Sequence, residues 1–152
     1  MKAVATRVLS AAVTLRDGRC SGERRATGPG LLVLLGVAHG DGPEQADKLV
    51  DKLLALRIFP DENGRFDKSV LDARGEILLV SQFTLCASLK GGRRPDFGAA
   101  ARPELAEPLY RRAAERLAAS GLTVKTGEFG ASMAVESVND GPVTLLLDTD
   151  AF

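Results

Sequence analysis

The sequence predicts an α+β fold. It is read as one domain over residues 1–152, with a largely antiparallel, barrel-like β core and two packed helices. Three observations carry this. The 152 residues match the ~100–200 typical of a single domain, and an apolar content of 45% supplies a core. Short apolar runs bounded by Gly and Pro outnumber the two stretches with helical period. Strands and helices do not alternate strictly, which disfavours a doubly wound sheet, and there is no repeat, low-complexity tract or linker.

Each element has its own signal. Lys2 to Leu15 is rich in Val, Thr and Ala and predicts one or two strands, with a possible bend at Ser10-Ala11-Ala12. Asp17-Gly18 predicts a two-residue hairpin, with Arg19 to Arg25 returning. After Gly28-Pro29-Gly30, the run Leu31 to Val37 predicts a strand buried on both faces. Asp41 and Pro43 mark a helix entry, and Ala46, Leu49, Val50, Leu53, Leu54 and Leu56 follow at helical spacing. Pro60 to Gly64 ends that segment, and Glu76 to Leu85 predicts a second buried strand. Lys90 to Pro95 is a basic loop. Pro103 to Ser120 is helical, with Leu105, Leu109, Ala113 and Leu117 as its stripe, a start or bend at Pro108 and a stop at Gly121. The tail predicts three strands, Leu122 to Thr126, Met133 to Val138 and Val143 to Thr149, with a turn at Asp140-Gly141-Pro142.

Composition removes several functional classes. Twenty basic residues balance twenty acidic ones, which excludes a strongly basic, non-specific nucleic-acid binder but leaves room for one local RNA-binding patch. No apolar run approaches the ~18 residues of a membrane span, and the N-terminus lacks the apolar stretch of an export signal, so a cytoplasmic location is expected. Cys20 and Cys86 are then expected as reduced thiols. With His39 the only imidazole, neither a zinc site nor any other metal or cofactor is expected. Phosphate-loop and dinucleotide-binding glycine patterns are absent.

Two segments hold polar residues with no obvious packing purpose. Ser81-Gln82-Phe83-Thr84-Leu85 ends an apolar strand, where polar side chains either line a cleft or satisfy loop backbone groups. Strand alternation puts Ser81 and Phe83 on one face and Gln82 and Thr84 on the other. Asn139-Asp140-Gly141-Pro142-Val143-Thr144 is either ordinary turn chemistry or, with a cis Gly-Pro bond, a device holding two carbonyls in fixed directions. Arg7 shares strand parity with the small Ala3 and Ala5, so it can reach inward to clamp carbonyl oxygens. Lys90, Arg93 and Arg94, with Arg111 and Arg112 as further members, are candidates for phosphate contact or a merely solvated surface.

At these two segments the chain resembles the D-aminoacyl-tRNA deacylase family, whose two signature motifs match residues 81–85 and 139–144. The likeness spans essentially the whole chain and includes Arg7-Val8, Leu56 to Phe59, Gly75 to Leu78, Gly91 to Pro95 and Gly127 to Met133. Cys86 is a departure, standing where relatives often carry an aromatic residue. The resemblance implies a homodimeric cytoplasmic editing enzyme without a cofactor. It would act on the tRNA acceptor end, with no role for membrane or DNA, and cleave the ester of D-aminoacyl-tRNA and of mischarged glycyl-tRNA. By the same resemblance, Gly141-Pro142 of one subunit enters the other's pocket and Arg7 holds that pair. Ser81, Gln82, Phe83 and Thr84 line the pocket, and Met133 lies near the terminal adenosine.

Neither motif holds His, Glu or Lys, so the expected chemistry is positioned water, backbone N–H donors and help from the ribose 2′-OH. The alternatives are Thr84 as nucleophile, a non-catalytic RNA-binding dimeric module of the same fold, and an esterase using Cys86 with His39.

Overall fold

The long strand β1 (Lys2–Leu15) organises the molecule, a computed structural model that describes residues 1–152. It is followed by β2 (Arg24–Thr27), β3 (Gly30–Gly36), α1 (Pro43–Ala55), β4 (Phe59–Pro60), β5 (Phe66–Lys68), β6 (Glu76–Ser81), α2 (Pro103–Ala119), β7 (Val124–Thr126) and β8 (Met133–Asp148). One edge of β1 pairs antiparallel with β3 and then β2, and the other with β8 along its whole length. The β3–β6 and β6–β7 pairings are parallel, so the sheet is mixed.

Strand alternation divides the core. Leu31, Val33 and Leu35 of β3 and Ile77 and Leu79 of β6 join Ala3 and Ala5 beneath α1 and α2. The intervening Leu32, Leu78 and Val80 meet Val8, Ala11, Val13 and Leu15 in a second cluster, so the sheet curls into a nearly barrel-shaped wall with apolar side chains on both faces. The switch from Val8 to Ala11 on one face needs an extra residue, and the β1–β8 register shifts between Val8 and Ser10.

Several local expectations are corrected. The first segment, read as one or two strands, is one continuous strand. Asp17-Gly18 is no two-residue hairpin: Thr14 pairs with Arg24, and Asp17 accepts from the Ser132 N–H instead. A small hairpin, β4–β5, forms around Asp61, which accepts from the Asn63 and Arg65 amides. α2 continues through Pro108, and Leu105 is exposed while Ala106 and Tyr110 complete the buried stripe. The segment 133–148 is a single strand, and residues 140–143 bulge from it opposite Arg7, between the Thr6–Thr144 and Val8–Asn139 pairs. No helix is long and apolar enough to cross a membrane.

Candidate active site

The apolar strand β6 stops at Ser81, where Gln82 leaves extended geometry and its N–H bonds the Leu35 carbonyl at 2.7 Å. Phe83 to Cys86 then form a 3-10 turn, so the expected alternation through Thr84 does not hold. The turn places Ser81, Gln82 and Phe83 on the wall of one cavity of about 570 Å³. Gln82 Nε2 donates to Thr84 Oγ1. Phe83 is half exposed rather than a core residue, and its ring meets Phe97 edge-on at 5.0 Å.

Met133 forms another part of this wall, reached from the far end of the fold because β8 returns along β1. Its approach depends on Gly127: a Cβ there would lie 2.5 Å from Met133 Sδ. The inner wall is apolar and includes Ala106, Tyr110 and Phe129. Tyr110 is anchored by an Oη donation of 2.9 Å to the Leu79 carbonyl, and burial pushes its phenol pKa up. No motif flagged Tyr110, Phe97 or Phe129. Tyr110 was visible only as an aromatic residue one position from the helical stripe.

Thr84, expected on the pocket wall, does not line this cavity, and neither do Arg7, Gly141 and Pro142. Arg7 is buried and points inward as its row of small neighbours suggests. Its Nη1 donates to the Ile58 carbonyl at 2.5 Å, and its Nε lies 2.9 Å from Asp140 Oδ2 as an ion pair not aligned as a hydrogen bond. Arg7 therefore clamps the base of the bulge beside Asp140. The bulge is also closed by Asn139, whose Oδ1 accepts from the Val143 N–H at 3.0 Å and whose Nδ2 donates to Thr144 Oγ1 at 3.1 Å. Gly141 has φ +134, a Cβ there would sit 2.6 Å from Val143 Cγ2, and the Gly141-Pro142 peptide is cis. Gly141 and Pro142 are both exposed.

The remaining candidates separate. His39 is exposed in a loop. Cys86 is buried, and desolvation pushes its thiol pKa up, which lowers its thiolate fraction. No group of three or more His, Cys, Asp or Glu side chains is placed to hold a metal ion. The cavity thus offers shape and a largely apolar wall, without a strong side-chain base.

Comparison with known proteins gives a consistent result. A family-level sequence model described as D-Tyr-tRNA(Tyr) deacylase matches residues 4–148. The D-aminoacyl-tRNA deacylase of Symbiobacterium thermophilum is 51% identical over 150 residues, covering 99% of this chain and 97% of the relative. That of Roseiflexus castenholzii is 53% identical over 152 residues, covering 100% of this chain and 94% of the relative. A solved structure named c-Myc DNA Unwinding Element Binding Protein superposes with TM-score 0.88 at 44% identity, over 97% of this chain and 98% of that one. A second, described as a probable eukaryotic D-amino acid tRNA deacylase, has TM-score 0.81 at 17% identity over 96% and 97% of the two chains.

Proposed function

This chain belongs to the D-Tyr-tRNA(Tyr) deacylase family, and from that premise we propose that it hydrolyses the ester linking a D-amino acid, or glycine, to the terminal ribose of tRNA. The observation that carries the reading is the meeting of Ser81, Gln82, Phe83 and Met133 around one cavity, while Gly141-Pro142 projects outside it.

The cavity takes the terminal nucleoside and its ester. The first N–H groups of the 3-10 turn, from Phe83 and Thr84, have no acceptor within the turn and face charge that develops on the ester carbonyl oxygen. A water oxygen bonds to the carbonyl carbon and gives up a proton as the carbonyl π pair moves onto oxygen. That pair then returns, the bond to the ribose 3′-oxygen breaks, and this oxygen leaves with a proton. The neighbouring 2′-OH orients the water, so the enzyme contributes mainly position and preorganised dipoles.

Selectivity comes from a second copy of the chain. The bulge of one protomer enters the other's cavity and sets the Gly141 and Pro142 main chain against the substrate α-carbon, leaving room for hydrogen but not for an L side chain. The carbonyls accept from the substrate ammonium. Glycine has nothing to clash and is accepted, and a D side chain points away from the wall. One exposed apolar row near the bulge supports this pairing: Leu146 is 85% exposed and aligns with Val4, which in turn aligns with Leu34, between the polar Thr6–Thr144 and Lys2–Asp148 pairs.

The test is deacylation of matched D-tyrosyl-, L-tyrosyl- and glycyl-tRNA, with and without added metal. Loss of the D and glycine esters with the L ester spared is expected. No hydrolysis of any would leave an RNA-binding module, and indiscriminate hydrolysis would remove the main-chain wall.

A further inference from the structure

The segment that carries the cavity-lining Phe83 and Phe97 concentrates positive charge that the folded chain does not neutralise. Residues 77–103 contain Lys90, Arg93, Arg94 and Arg102 against Asp96 alone, a surplus of three positive charges in a chain of zero net charge. None of these four cations has a carboxylate within 4.0 Å; Arg16, Lys48, Lys52, Arg65, Lys68, Arg74 and Lys125 are likewise unpaired but scattered, whereas Arg24, Arg57, Arg111, Arg112 and Arg116 are bridged. Asp96 is occupied locally, with Oδ1 accepting from the Gly98 N–H at 3.0 Å.

The backbone holds this charge in a defined place. Ser88 and Asp96 exchange main-chain hydrogen bonds of 2.8 and 2.9 Å, closing a short hairpin whose exposed tip carries Lys90, Arg93 and Arg94. Immediately beyond the closure, Phe97 packs on Phe83, and both rings line the cavity. The hairpin closure therefore adjoins a cavity-lining residue, with Lys90, Arg93 and Arg94 themselves outside the lining. At positions 91 and 92, glycine leaves the backbone open, with no atom within 4 Å of where a Cβ would be. Like charges kept together without partners repel, and an incoming polyanion relieves that repulsion.

A cavity of about 570 Å³ has room for one nucleoside with its ester, so on the deacylase reading the preceding nucleotides lie outside it, where the hairpin tip is exposed. We propose that the 88–96 hairpin is a phosphate clamp for the single-stranded nucleotides preceding the terminal one, with Lys90, Arg93 and Arg94 contacting their backbone. The proposal rests on the deacylase reading and extends it from the ester to the strand that carries it. The clamp acts on phosphates, so it sets affinity for the strand and leaves the reacting ester untouched.

Two substrates separate the clamp from the chemistry: D-tyrosyl-tRNA, and D-tyrosyl-adenosine, which has the ester but no phosphate. In the K90Q/R93Q/R94Q variant, kcat/KM for the tRNA should fall about tenfold or more through KM, with D-tyrosyl-adenosine cleaved as before. Three single-strand contacts are worth about 2 in the log–log salt slope, so raising salt from ~50 to ~200 mM should weaken wild-type binding of an uncharged RNA ending in ACCA roughly 10- to 20-fold more than it weakens the variant's. K90R/R93K/R94K, which keeps the charge, should retain the wild-type slope. Equal losses on both substrates, an unchanged salt slope, or failure of the charge-preserving variant would each overturn the clamp. If the wild type cleaved neither substrate, the deacylase reading would fall, and the RNA salt slopes would still decide the clamp.

Discussion

Thr84 presents the only hydroxyl within the 3-10 turn beside the cavity, and its hydrogen-bond partner is the Gln82 amide, which donates to it. A donor leaves the hydroxyl proton in place, and no imidazole, carboxylate or amine is bonded to Thr84 to remove it. T84V should therefore deacylate D-tyrosyl-tRNA within about threefold of wild type in single-turnover kcat. A loss of ~100-fold or more, the scale of a missing catalytic proton-transfer partner, would make the hydroxyl part of the chemistry. The Cys86 thiol is removed from contention by the same reasoning, being buried and held protonated by its surroundings. At this scale Ser81 and Gln82 were legible because polar side chains interrupt an apolar strand. The relation of Gln82 to Thr84 was not, because alternation carried past Ser81 assigns faces that a 3-10 turn then rearranges.

Between elements, the contact of α1 with α2 is the most explicit electrostatic feature. Arg112 holds both oxygens of Asp47 at 2.7 Å, while Arg116 reaches Asp47 at 3.1 Å and Asp51 at 2.8 Å. Hydrogen bonding to Arg112 leads the causes that lower the Asp47 pKa to about 2, below the ~3.9 of an unfolded aspartate. The folded state thus keeps Asp47 ionised where the unfolded chain already binds a proton. The resulting stabilisation is complete above about pH 4 and lost as pH falls through about 2. D47N should lower Tm modestly at pH 7, and the gap from wild type should close between about pH 4 and 2; a gap independent of pH would mean packing rather than charge. Both helices were legible from their period, whereas this pairing was not, since nothing in either periodicity states which faces meet. The Asn139–Thr144 bulge is harder still. Asp-Gly-Pro suits a turn and a bulge equally, and only the neighbouring β1 backbone, with Arg7 clamping Asp140, decides between them.

For the whole molecule, the separation of Gly141-Pro142 from the cavity of its own chain makes a sharp demand on assembly. If the bulge of one protomer completes the cavity of another, the two functions can be lost on different chains and recovered together. A131W plugs a cavity through a residue on its wall, leaving the bulge intact. G141A/P142A alters the bulge, with the new Cβ at position 141 driven into Val143, and leaves the cavity open. Each variant alone should lack selective hydrolysis of D-tyrosyl-tRNA, the first for want of a cavity and the second for want of a wall. Unfolded together and refolded at equal concentrations, they should form mixed dimers in which an intact cavity meets an intact bulge once per dimer. Random pairing then makes about a quarter of all sites wild type in composition. Selective D-tyrosyl-tRNA hydrolysis should return to about that fraction of the wild-type rate, while separately refolded proteins mixed afterwards should regain it only as fast as dimers exchange. If co-refolding restored nothing although mixed dimers were present, each cavity would be completed by its own chain, and the exposed bulge would need a different role.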